Sequence, residues 1–594
     1  MTTYKAPVRD TQFLFEDVFN IYDTYKDLPG TEDATPDLMN SIMDEAGKFA
    51  TQELHPINYS GHEEGARLED GEVITPKGFK EAYEKYKECG WSQLSETPEF
   101  GGQGLPRTLN GAVSEFMLSA NASFAIYMTR DGSVAAIERN ASEELKQKYL
   151  PKLIDGSWGG PMAMTEPHCG SDLGMLRTKA EPQADGTYKI TGTKMFITGG
   201  DADLGENAIH LVLARIPGSP EGIKGISLFI TPKYLVNDDG SVGEHNNVNC
   251  GSIEHKMGLN ASSTCVMNFE GATGWLIGDV NKGMRAMFAM VNKSRFLIGL
   301  QGTAIAEVAY QNAAEYAHER IQMRALTGPK NPDGAADPII VHPDVRRMLL
   351  NQRSFIEGSR ALNTYIGLLF DEQERSQDPE RQKEVGQLLD FLTPICKGFA
   401  SEMGTENTNL ALQCFGGHGF IRENGMEQFV RDMRAAQIYE GTTGIQGLDL
   451  LARKVLGSQG ETLKLFTKEI HAFCKENAGN EAMKEFIEPL TALNKEWGDL
   501  TMKIGMAAME KSPDEIGSAS VDYLMYAGYA SLAYMWAKMA KAAIAGGDEA
   551  FYKAKLQTAQ FYYKRILPRT KLHAETMLSG AEYLMDMDAE AFLR

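Results

Sequence analysis

Residues 161–180, PMAMTEPHCGSDLGMLRTKA, lie where the sequence changes from a helical pattern to a strand pattern. Over residues 36–160, apolar positions recur every three to four residues between Gly and Pro clusters, which predicts helices. After residue 180, short alternating runs rich in β-branched residues, such as YKITGTKMFIT at 188–198, are separated by Gly- and Asp-rich turns. This pattern predicts an antiparallel sandwich or barrel.

The helical pattern returns near residue 279 and continues to the end of the sequence, with an interruption at GSQG (457–460). The segment TGPKNPDGAADP at 327–338 is typical of an insertion between two helices. We therefore predict an α+β fold in five parts. They are an N-terminal extension (1–35), an N-terminal helical domain (36–160), a middle β-domain (161–278), a C-terminal helical bundle (279–456) and an additional helical domain (457–594).

Composition excludes several classes of protein. With 594 residues, of which 42% are hydrophobic and 24% charged, the chain has enough apolar material for substantial cores and is not a disordered or collagen-like protein. Its 81 acidic and 59 basic residues give a formal net charge of −22. Because nucleic-acid binding needs a concentrated basic face, this balance argues against a nucleic-acid-binding protein.

The cysteines and the apolar segments indicate a cytoplasmic protein. The seven cysteines form no CxxC pair, and because their number is odd they cannot all pair in disulfides within the chain. This favours a reducing compartment and argues against a structural zinc site. Charged residues among the first twenty positions occupy the place where a signal peptide would need an apolar core. The longest span-like stretch, 523–537, has fifteen uncharged residues and is too short to cross a bilayer.

The junction at 161–180 is the first candidate site. Thr165, Ser171 and Thr178 supply hydroxyl groups, and Gly170 allows the backbone to come close to a ligand. A capped loop between two domains would explain the same residues equally well. The pair His168-Cys169 lacks further metal ligands at suitable spacing, so we predict no metal site.

Glu440 in RDMRAAQIYEGTTGIQ (431–446) is the second candidate. It ends an apolar helical run directly before a glycine, so its carboxylate can project into a cavity from a fixed backbone. Desolvation there would raise its pKa and make it a usable general base. The alternative is an exposed glutamate that caps a turn.

The third candidate is QCFGGHGFIREN at 413–424. Its glycine pair is compatible with a helix C-cap or with a close approach to the phosphates of a ligand. No GxGxxG motif follows a predicted strand, which argues against a Rossmann dinucleotide site.

Together these segments resemble the acyl-CoA dehydrogenases, and the resemblance covers residues 36–456. The shared motifs occur in the family's order: TEPxxGSD at 165–172, FIT at 196–198, Arg320, QxFGGxGF at 413–420 and YEGT at 439–442. The N-terminal segment 4–18, the segment HPDVRRML and the additional helical domain are similar to the 3-methylmercaptopropionyl-CoA dehydrogenase-like branch. Since that branch also contains bacterial fatty acyl-CoA dehydrogenases, the acyl group stays open.

The resemblance implies an FAD-dependent oxidation of an acyl-CoA thioester. Glu440 would remove the α-proton while the β-hydrogen leaves as a hydride to flavin N5, which gives a trans-2-enoyl-CoA. The backbone N–H of Glu440 and a ribityl hydroxyl of FAD would stabilise the charge on the thioester oxygen.

The same resemblance implies which residues bind the cofactor and the substrate. The implied FAD-binding residues are Met162, Met164, Thr165, Gly170, Ser171, Phe196, Thr198, Arg320, Gln413, Gly416, Gly417 and Thr442. The implied substrate-binding residues are Ser171, Asn292, Arg295 and Gly441. A structural salt bridge on the helix surface is the alternative role for Arg295. Many family members have Ser-Gln where this chain has Thr443-Gly444, which leaves the contacts at the adenosine end of FAD open.

The family further implies that Arg320 and residues 413–417 bind the pyrophosphate and adenosine of FAD across a subunit interface, so we predict a homodimer. An electron-transfer flavoprotein is the expected electron acceptor. The alternatives are an acyl-CoA oxidase that uses O₂, a DNA-associated flavoprotein of the adaptive-response type, and a catalytically inactive binding protein. The acidic net charge argues against the DNA-associated protein, and the carboxylate at position 440 argues against an inactive one.

Overall fold

The computed structural model describes residues 2–593, without the side chains of residues 288 and 289. The chain forms two compact units. One unit comprises residues 2–44 and 295–593, and the other comprises residues 45–294. Both boundaries fall inside helices, Pro36–Phe49 and Gly283–Glu319.

The α-helices of the described residues are numbered here in chain order. They are α1 Val8–Phe13, α2 Ile21–Lys26, α3 Pro36–Phe49, α4 Asn58–Glu64, α5 Phe79–Glu88, α6 Arg107–Ala120, α7 Ala122–Met128, α8 Asp131–Asn140, α9 Glu143–Ile154, α10 Gly283–Glu319, α11 Pro343–Arg375, α12 Pro379–Cys414, α13 Met426–Arg434, α14 Thr443–Leu448, α15 Glu461–Asn477, α16 Lys484–Glu510, α17 Asp514–Gly546, α18 Ala550–Phe561, α19 Arg569–Thr576 and α20 Glu582–Met585.

The strands all lie in the unit 45–294. They are β1 Arg67–Glu69, β2 Glu72–Ile74, β3 Trp158–Gly159, β4 Met162–Ala163, β5 Lys179–Pro182, β6 Tyr188–Thr198, β7 Asn207–Arg215, β8 Ile226–Pro232, β9 Tyr234–Val236, β10 Val242–His245, β11 Val248–Ile253 and β12 Thr264–Ile277.

Five strands close a small barrel. Strand β12 pairs with β6 and β8, β6 pairs with β5, and β7 joins β5 to β8. Most pairings are antiparallel, as predicted, but β3, β4 and β5 run parallel to β7. The predicted β-domain is therefore confirmed, in the form of a barrel.

Alternation along β7 separates two buried clusters of this unit. Val212 packs with Ile190 and Phe229 in one cluster. Its neighbours Leu211 and Leu213 belong to the other cluster, which also contains residues of α8 and α9 such as Tyr149. Because successive side chains of a strand point to opposite faces and both faces are covered, β7 is buried along its length up to Ala214.

Within the predicted helical region 36–160, the apolar segment 109–128 is divided between two helices, α6 and α7. Asn121 has an extended backbone (φ −158°) and ends α6. Its side-chain oxygen accepts a hydrogen bond from the N–H of Phe124 at 3.0 Å and so caps the N-terminus of α7. The break therefore has a local cause that lies in the sequence.

Helix α17 is the central helix of the additional domain. Its segment 523–537 is buried except for the half-buried Met525, and the indole N–H of Trp536 donates to the carbonyl oxygen of Ser354 in α11 at 2.9 Å. The uncharged stretch 523–537 is thus explained by packing of helix against helix. In the described part of the chain, no helix combines the length and apolarity that a membrane span requires.

A buried ionic network ties the N-terminal extension to the helices of the same unit. Asp10 of α1 forms ion pairs with Arg360 of α11 and Lys555 of α18, both of which are almost fully buried. Arg360 also pairs with Glu307 at 2.6 Å, and Lys555 pairs with Glu357 at 2.9 Å. Burial raises the pKa of Asp10, but the two cations outweigh it and bring this pKa down to about 2.

Candidate active site

The turn that contains Glu440 has an unusual backbone. It connects a 3-10 turn, Ala435–Gln437, to helix α14, and both Glu440 (φ +54°) and Gly441 (φ +89°) are left-handed. A non-glycine residue rarely adopts this conformation and keeps it only when its surroundings enforce it. At Gly441 an added Cβ would lie 2.7 Å from Nε2 of Gln446, so the site requires glycine.

Two buried side chains hold this turn through its carbonyl groups. The ammonium of Lys397 in α12 donates to the carbonyl oxygen of Gly441 at 2.5 Å. The amide of Gln446 donates to the carbonyl oxygens of Glu440 at 3.0 Å and Gly441 at 3.2 Å. Thr442 accepts from the N–H of Ile445 and caps α14. The strained turn is therefore fixed from both sides.

Glu440 is half-buried, and its carboxyl group lies in a partly desolvated, positively charged environment. Burial raises its pKa above the ordinary value, while the charges of Lys397 and Arg295 oppose this shift without cancelling it. Within residues 2–593, its carboxylate has no hydrogen-bond or ion-pair partner. A residue that merely capped a turn in water would show neither feature.

Arg295 faces the same carboxyl group from α10. Its guanidinium pairs with Asp449 at 2.5 Å, and Nε has no partner among the described residues. Arg295 thus forms a salt bridge, but a buried one rather than one on the helix surface, and its charge also acts on Glu440. Its contact with the substrate stays a prediction. Asn292 lies one helical turn earlier on α10 and is partly exposed.

An open glycine surface follows α12. Gln413, Gly416 and Gly417 are exposed, and a Cβ added at either glycine would meet no atom within 4 Å. The ring of Tyr316 in α10 stacks on Phe415 with 4.1 Å between the ring centroids, which fixes this surface beside the end of α10.

Arg320 follows the end of α10 directly. It is exposed, and its guanidinium makes no ion pair or side-chain hydrogen bond within the described part of the chain. Arg320 lies one helical turn after Tyr316, whose ring packs against the open glycine surface. A free guanidinium beside such a surface fits the pyrophosphate of FAD, because arginine and exposed backbone N–H groups bind such anions. Thr442 is also exposed, in the turn at Glu440.

The insertion at 327–338 is ordered around one carboxylate, Asp337. It accepts hydrogen bonds from the N–H groups of Ala325, Lys330 and Asn331 at 2.7 to 2.9 Å and pairs with Arg324. Burial raises the pKa of Asp337, but these donors lower it to about 2. The sequence reasoning missed this residue. The insertion therefore presents a fixed backbone next to Arg320.

In the other unit, the segments around Thr165 and Thr198 run side by side. The carbonyl oxygen of Thr165 accepts from the N–H of Met195 at 2.9 Å, and that of Met164 accepts from the ammonium of Lys194 at 3.0 Å. Phe196 has a left-handed backbone (φ +57°), and 57% of its surface is exposed. An exposed aromatic ring beside threonine hydroxyls fits a flat heteroaromatic group such as the flavin ring.

A cavity of about 60 Å³ borders this region. Its lining includes Thr198, Gly199, Tyr127, Gly160 and Pro161. The hydroxyl of Tyr127 accepts from the N–H of Ser263 at 2.6 Å, which fixes one wall of the cavity. The sequence reasoning did not identify Tyr127.

Glu166 anchors the loop that carries Gly170 and Ser171. It is buried and accepts hydrogen bonds from the N–H groups of Arg177 and Thr178 and from the ammonium of Lys194. Burial raises the pKa of Glu166, but Lys194 and these donors lower it below its ordinary value. Gly170 and Ser171 are exposed on the loop. Glu166 had not been singled out in the sequence analysis.

Glu166 also belongs to the one group that resembles a metal site among the described residues. Its carboxylate lies within 4.8 Å of ligand atoms of His168 and Cys169. Both of its oxygens already accept hydrogen bonds from protein donors, and Lys194 neutralises its charge. The trio therefore supports no metal-site proposal.

Comparison with known proteins decides the family. The chain is 42% identical to the 3-methylmercaptopropionyl-CoA dehydrogenase of Ruegeria pomeroyi, over 95% of this chain and 96% of the relative. The chain belongs to the acyl-CoA dehydrogenase family. The acyl-CoA dehydrogenase N-terminal, middle and C-terminal domains match residues 38–157, 161–272 and 281–456, and the "Acetyl-CoA dehydrogenase C-terminal like" domain matches residues 466–588.

Two further comparisons agree with this family. A broad-specificity linear acyl-CoA dehydrogenase of Mycobacterium tuberculosis is 32% identical and matches over the full length of both chains. The fold is shared with an acyl-CoA dehydrogenase from Bacillus anthracis in complex with FAD, at 22% identity and a TM-score of 0.74, over 96% of this chain and 91% of that one. The protein is an FAD-dependent acyl-CoA dehydrogenase, which confirms the predicted fold, cofactor and reaction class.

Proposed function

We propose that Glu440 is the base that removes the α-proton of an acyl-CoA thioester as it is oxidised to a trans-2-enoyl-CoA. The observation that carries this proposal is the fixed left-handed turn, which holds an unpartnered carboxyl group whose pKa is raised by burial. When bound, FAD supplies the redox chemistry by accepting the β-hydrogen as a hydride.

The backbone of the same turn supports a second role. Within residues 2–593, the N–H group of Glu440 donates to no protein acceptor. We propose that it donates to the thioester oxygen, where negative charge develops as the α-proton leaves. We further propose that Ser171, Asn292, Arg295 and Gly441 contact the substrate.

The acyl group that we propose is 3-methylmercaptopropionyl, with a fatty acyl group as the alternative. The support is the 42% identity to a relative named for that thioether substrate, against 32% to one named for linear acyl-CoAs. Anaerobic bleaching of the flavin by 3-methylmercaptopropionyl-CoA and by saturated acyl-CoAs of graded length tests this. We expect the thioether to bleach the flavin fastest. Faster bleaching by a long-chain acyl-CoA would reject this substrate.

We propose that the flavin ring of FAD rests on Met162, Met164, Thr165, Phe196 and Thr198, near Gly170 and Ser171. The support is the exposed ring of Phe196 beside a pair of segments that are hydrogen-bonded to each other. Arg320, Gln413, Gly416, Gly417 and Thr442 would bind the pyrophosphate and adenosine end, as the free guanidinium and the open glycine surface suggest.

Replacing Arg320 with alanine should weaken FAD retention more than thioester affinity. The reason is that the substitution removes a free cation placed for the cofactor's phosphates. FAD occupancy after gel filtration and the dissociation constant for acyl-CoA provide the two measurements, and Arg565→Ala, at an exposed arginine of the additional domain, is the matched control. Full FAD occupancy together with lost thioester binding would refute the phosphate role.

We also propose a cytoplasmic homodimer that passes electrons to an electron-transfer flavoprotein. Seven free cysteines, six of them buried, support a reducing location.

Reoxidation of the reduced enzyme by the electron-transfer flavoprotein should be much faster than reoxidation by O₂. The reverse order would identify an oxidase. Light scattering of the holoenzyme tests the dimer.

A further inference from the structure

Lys397 is a buried cation that neither the family motifs nor the sequence reasoning singles out. It lies in the apolar run FLTPICKGFA of α12, with none of its surface exposed. Long charged side chains are rarely buried unless a carboxylate pairs with them. Lys397 has no carboxylate within ion-pair distance among residues 2–593, and its one hydrogen bond goes to the carbonyl oxygen of Gly441.

The unpartnered carboxyl group near this cation is that of Glu440. Each therefore lacks a direct ionic partner, although the charge of each acts on the other. We propose that Lys397 is a positioning residue for the base: it holds the turn at Glu440 through Gly441, and its charge keeps Glu440 in the ionised form that accepts a proton. This inference rests on the proposed role of Glu440.

The other charged groups nearby each have hydrogen-bond or ion-pair partners of their own. Arg295 faces Glu440 from α10, but it pairs with Asp449, which Arg453 also approaches at 3.5 Å. Glu402, one turn along α12 from Lys397, accepts hydrogen bonds from Gln437 and Thr443. Lys397 is thus the positive charge near Glu440 that has no carboxylate within ion-pair distance among the described residues, although the charge of Glu402 also acts on it.

The ionisation of Lys397 agrees with this role. Burial lowers the pKa of its ammonium group to about 8, while the negative charge of Glu440 opposes the shift. The group is therefore mostly protonated at neutral pH. Because Glu440 must be ionised to act, the rate of flavin reduction should rise with pH through its pKa. Removing the lysine's charge should raise that pKa and move the rise to higher pH.

The test compares Lys397→Gln, which keeps an amide donor but has no charge, with Lys397→Arg, which keeps the charge. Lys454→Gln removes a lysine that pairs with Asp390 in the same unit and serves as the matched control. For each holoenzyme, the rate of anaerobic flavin reduction by saturating acyl-CoA is measured against pH. Lys397→Gln should shift the acid limb of the pH–rate profile, where the rate rises with pH, to higher pH by about one unit. At a given pH on that limb, the rate should therefore be about tenfold lower than in the wild type.

A second readout needs no turnover. The carboxylic acid band of Glu440 in pH-difference infrared spectra, assigned by its loss in Glu440→Gln, should titrate at higher pH in Lys397→Gln. Lys397→Arg and Lys454→Gln should titrate like the wild type. If Lys397→Gln does not fold, Lys397→Met replaces it in both measurements.

Two results would overturn the inference. One is an acid limb and infrared titration that do not move in the uncharged variant, since a merely structural lysine would lower rate or stability without moving them. The other is an equal shift in Lys397→Gln and Lys397→Arg. If Glu440→Gln keeps the wild-type rate, the base assignment itself fails. If that variant is inactive and the limb stays unmoved, only the role of Lys397 fails.

Discussion

Glu440→Gln protein should keep its FAD and reduce it about three orders of magnitude more slowly than the wild type when mixed with a good acyl-CoA. The amide has nearly the same shape as the carboxylate, so the turn held by Lys397 and Gln446 should persist. It cannot accept the α-proton. Anaerobic stopped-flow absorbance of the flavin measures the rate.

The matched control for this experiment is Glu461→Gln, at an exposed residue that begins α15. It should reduce FAD at the wild-type rate. Wild-type bleaching by Glu440→Gln would reject the assignment of the base. FAD content, read from the absorbance before mixing, separates a loss of cofactor from a loss of the proton acceptor.

Lys555→Met should lower the free energy of unfolding by about 3–5 kcal/mol, because it removes a buried cation from two carboxylates, Asp10 and Glu357, and leaves each with a single arginine partner. Lys555 is 1% exposed and contacts Asp10 and Glu357. Urea unfolding followed by far-UV circular dichroism measures the loss. Increased proteolysis within the first 35 residues should accompany it. Wild-type stability of this variant would show that the network does not hold the N-terminal extension.

A second substitution isolates the charge effect. Asp10→Asn combined with Lys555→Met should recover part of the loss, since one of the two carboxylates that lost the lysine is then absent. The network should also respond to acid. Because the pKa of Asp10 falls from 3.8 to about 2 on folding, its contribution is complete above the ordinary value and is lost as pH falls towards 2.

The parts of the fold that could be predicted depend on local signals. Helix α5 and the strand YKITGTKMFIT follow from periodicity within a few residues of sequence. The division at Asn121 also had a local cause, a capping side chain. The segments on both sides of Asn121 are apolar, however, so their pattern predicts one continuous helix. The parallel pairing of β5 with β7 had no local signal, because it joins strands that are separated by β6.

The candidate site shows the same limit. Glu440 could be proposed from sequence because a carboxylate before a glycine, within a known motif, is visible locally. Lys397, which holds the turn, is 44 residues away from its acceptor Gly441, and the ion pair between Asp10 and Lys555 spans 545 residues. One signal for Lys397 was available, a single lysine inside an apolar helical run. Such a residue needs a buried partner, and only the fold identifies it.

The central claim, that Glu440 takes the α-proton, is tested most directly by separating proton removal from the redox step. A thioester analogue with oxygen in place of its β-carbon has no β-hydrogen to transfer, so only α-proton removal can occur. Incubated with holoenzyme in D₂O and followed by NMR, its α-hydrogens should exchange rapidly with the wild type and at the background rate with Glu440→Gln. Equal exchange by the two proteins would contradict the account.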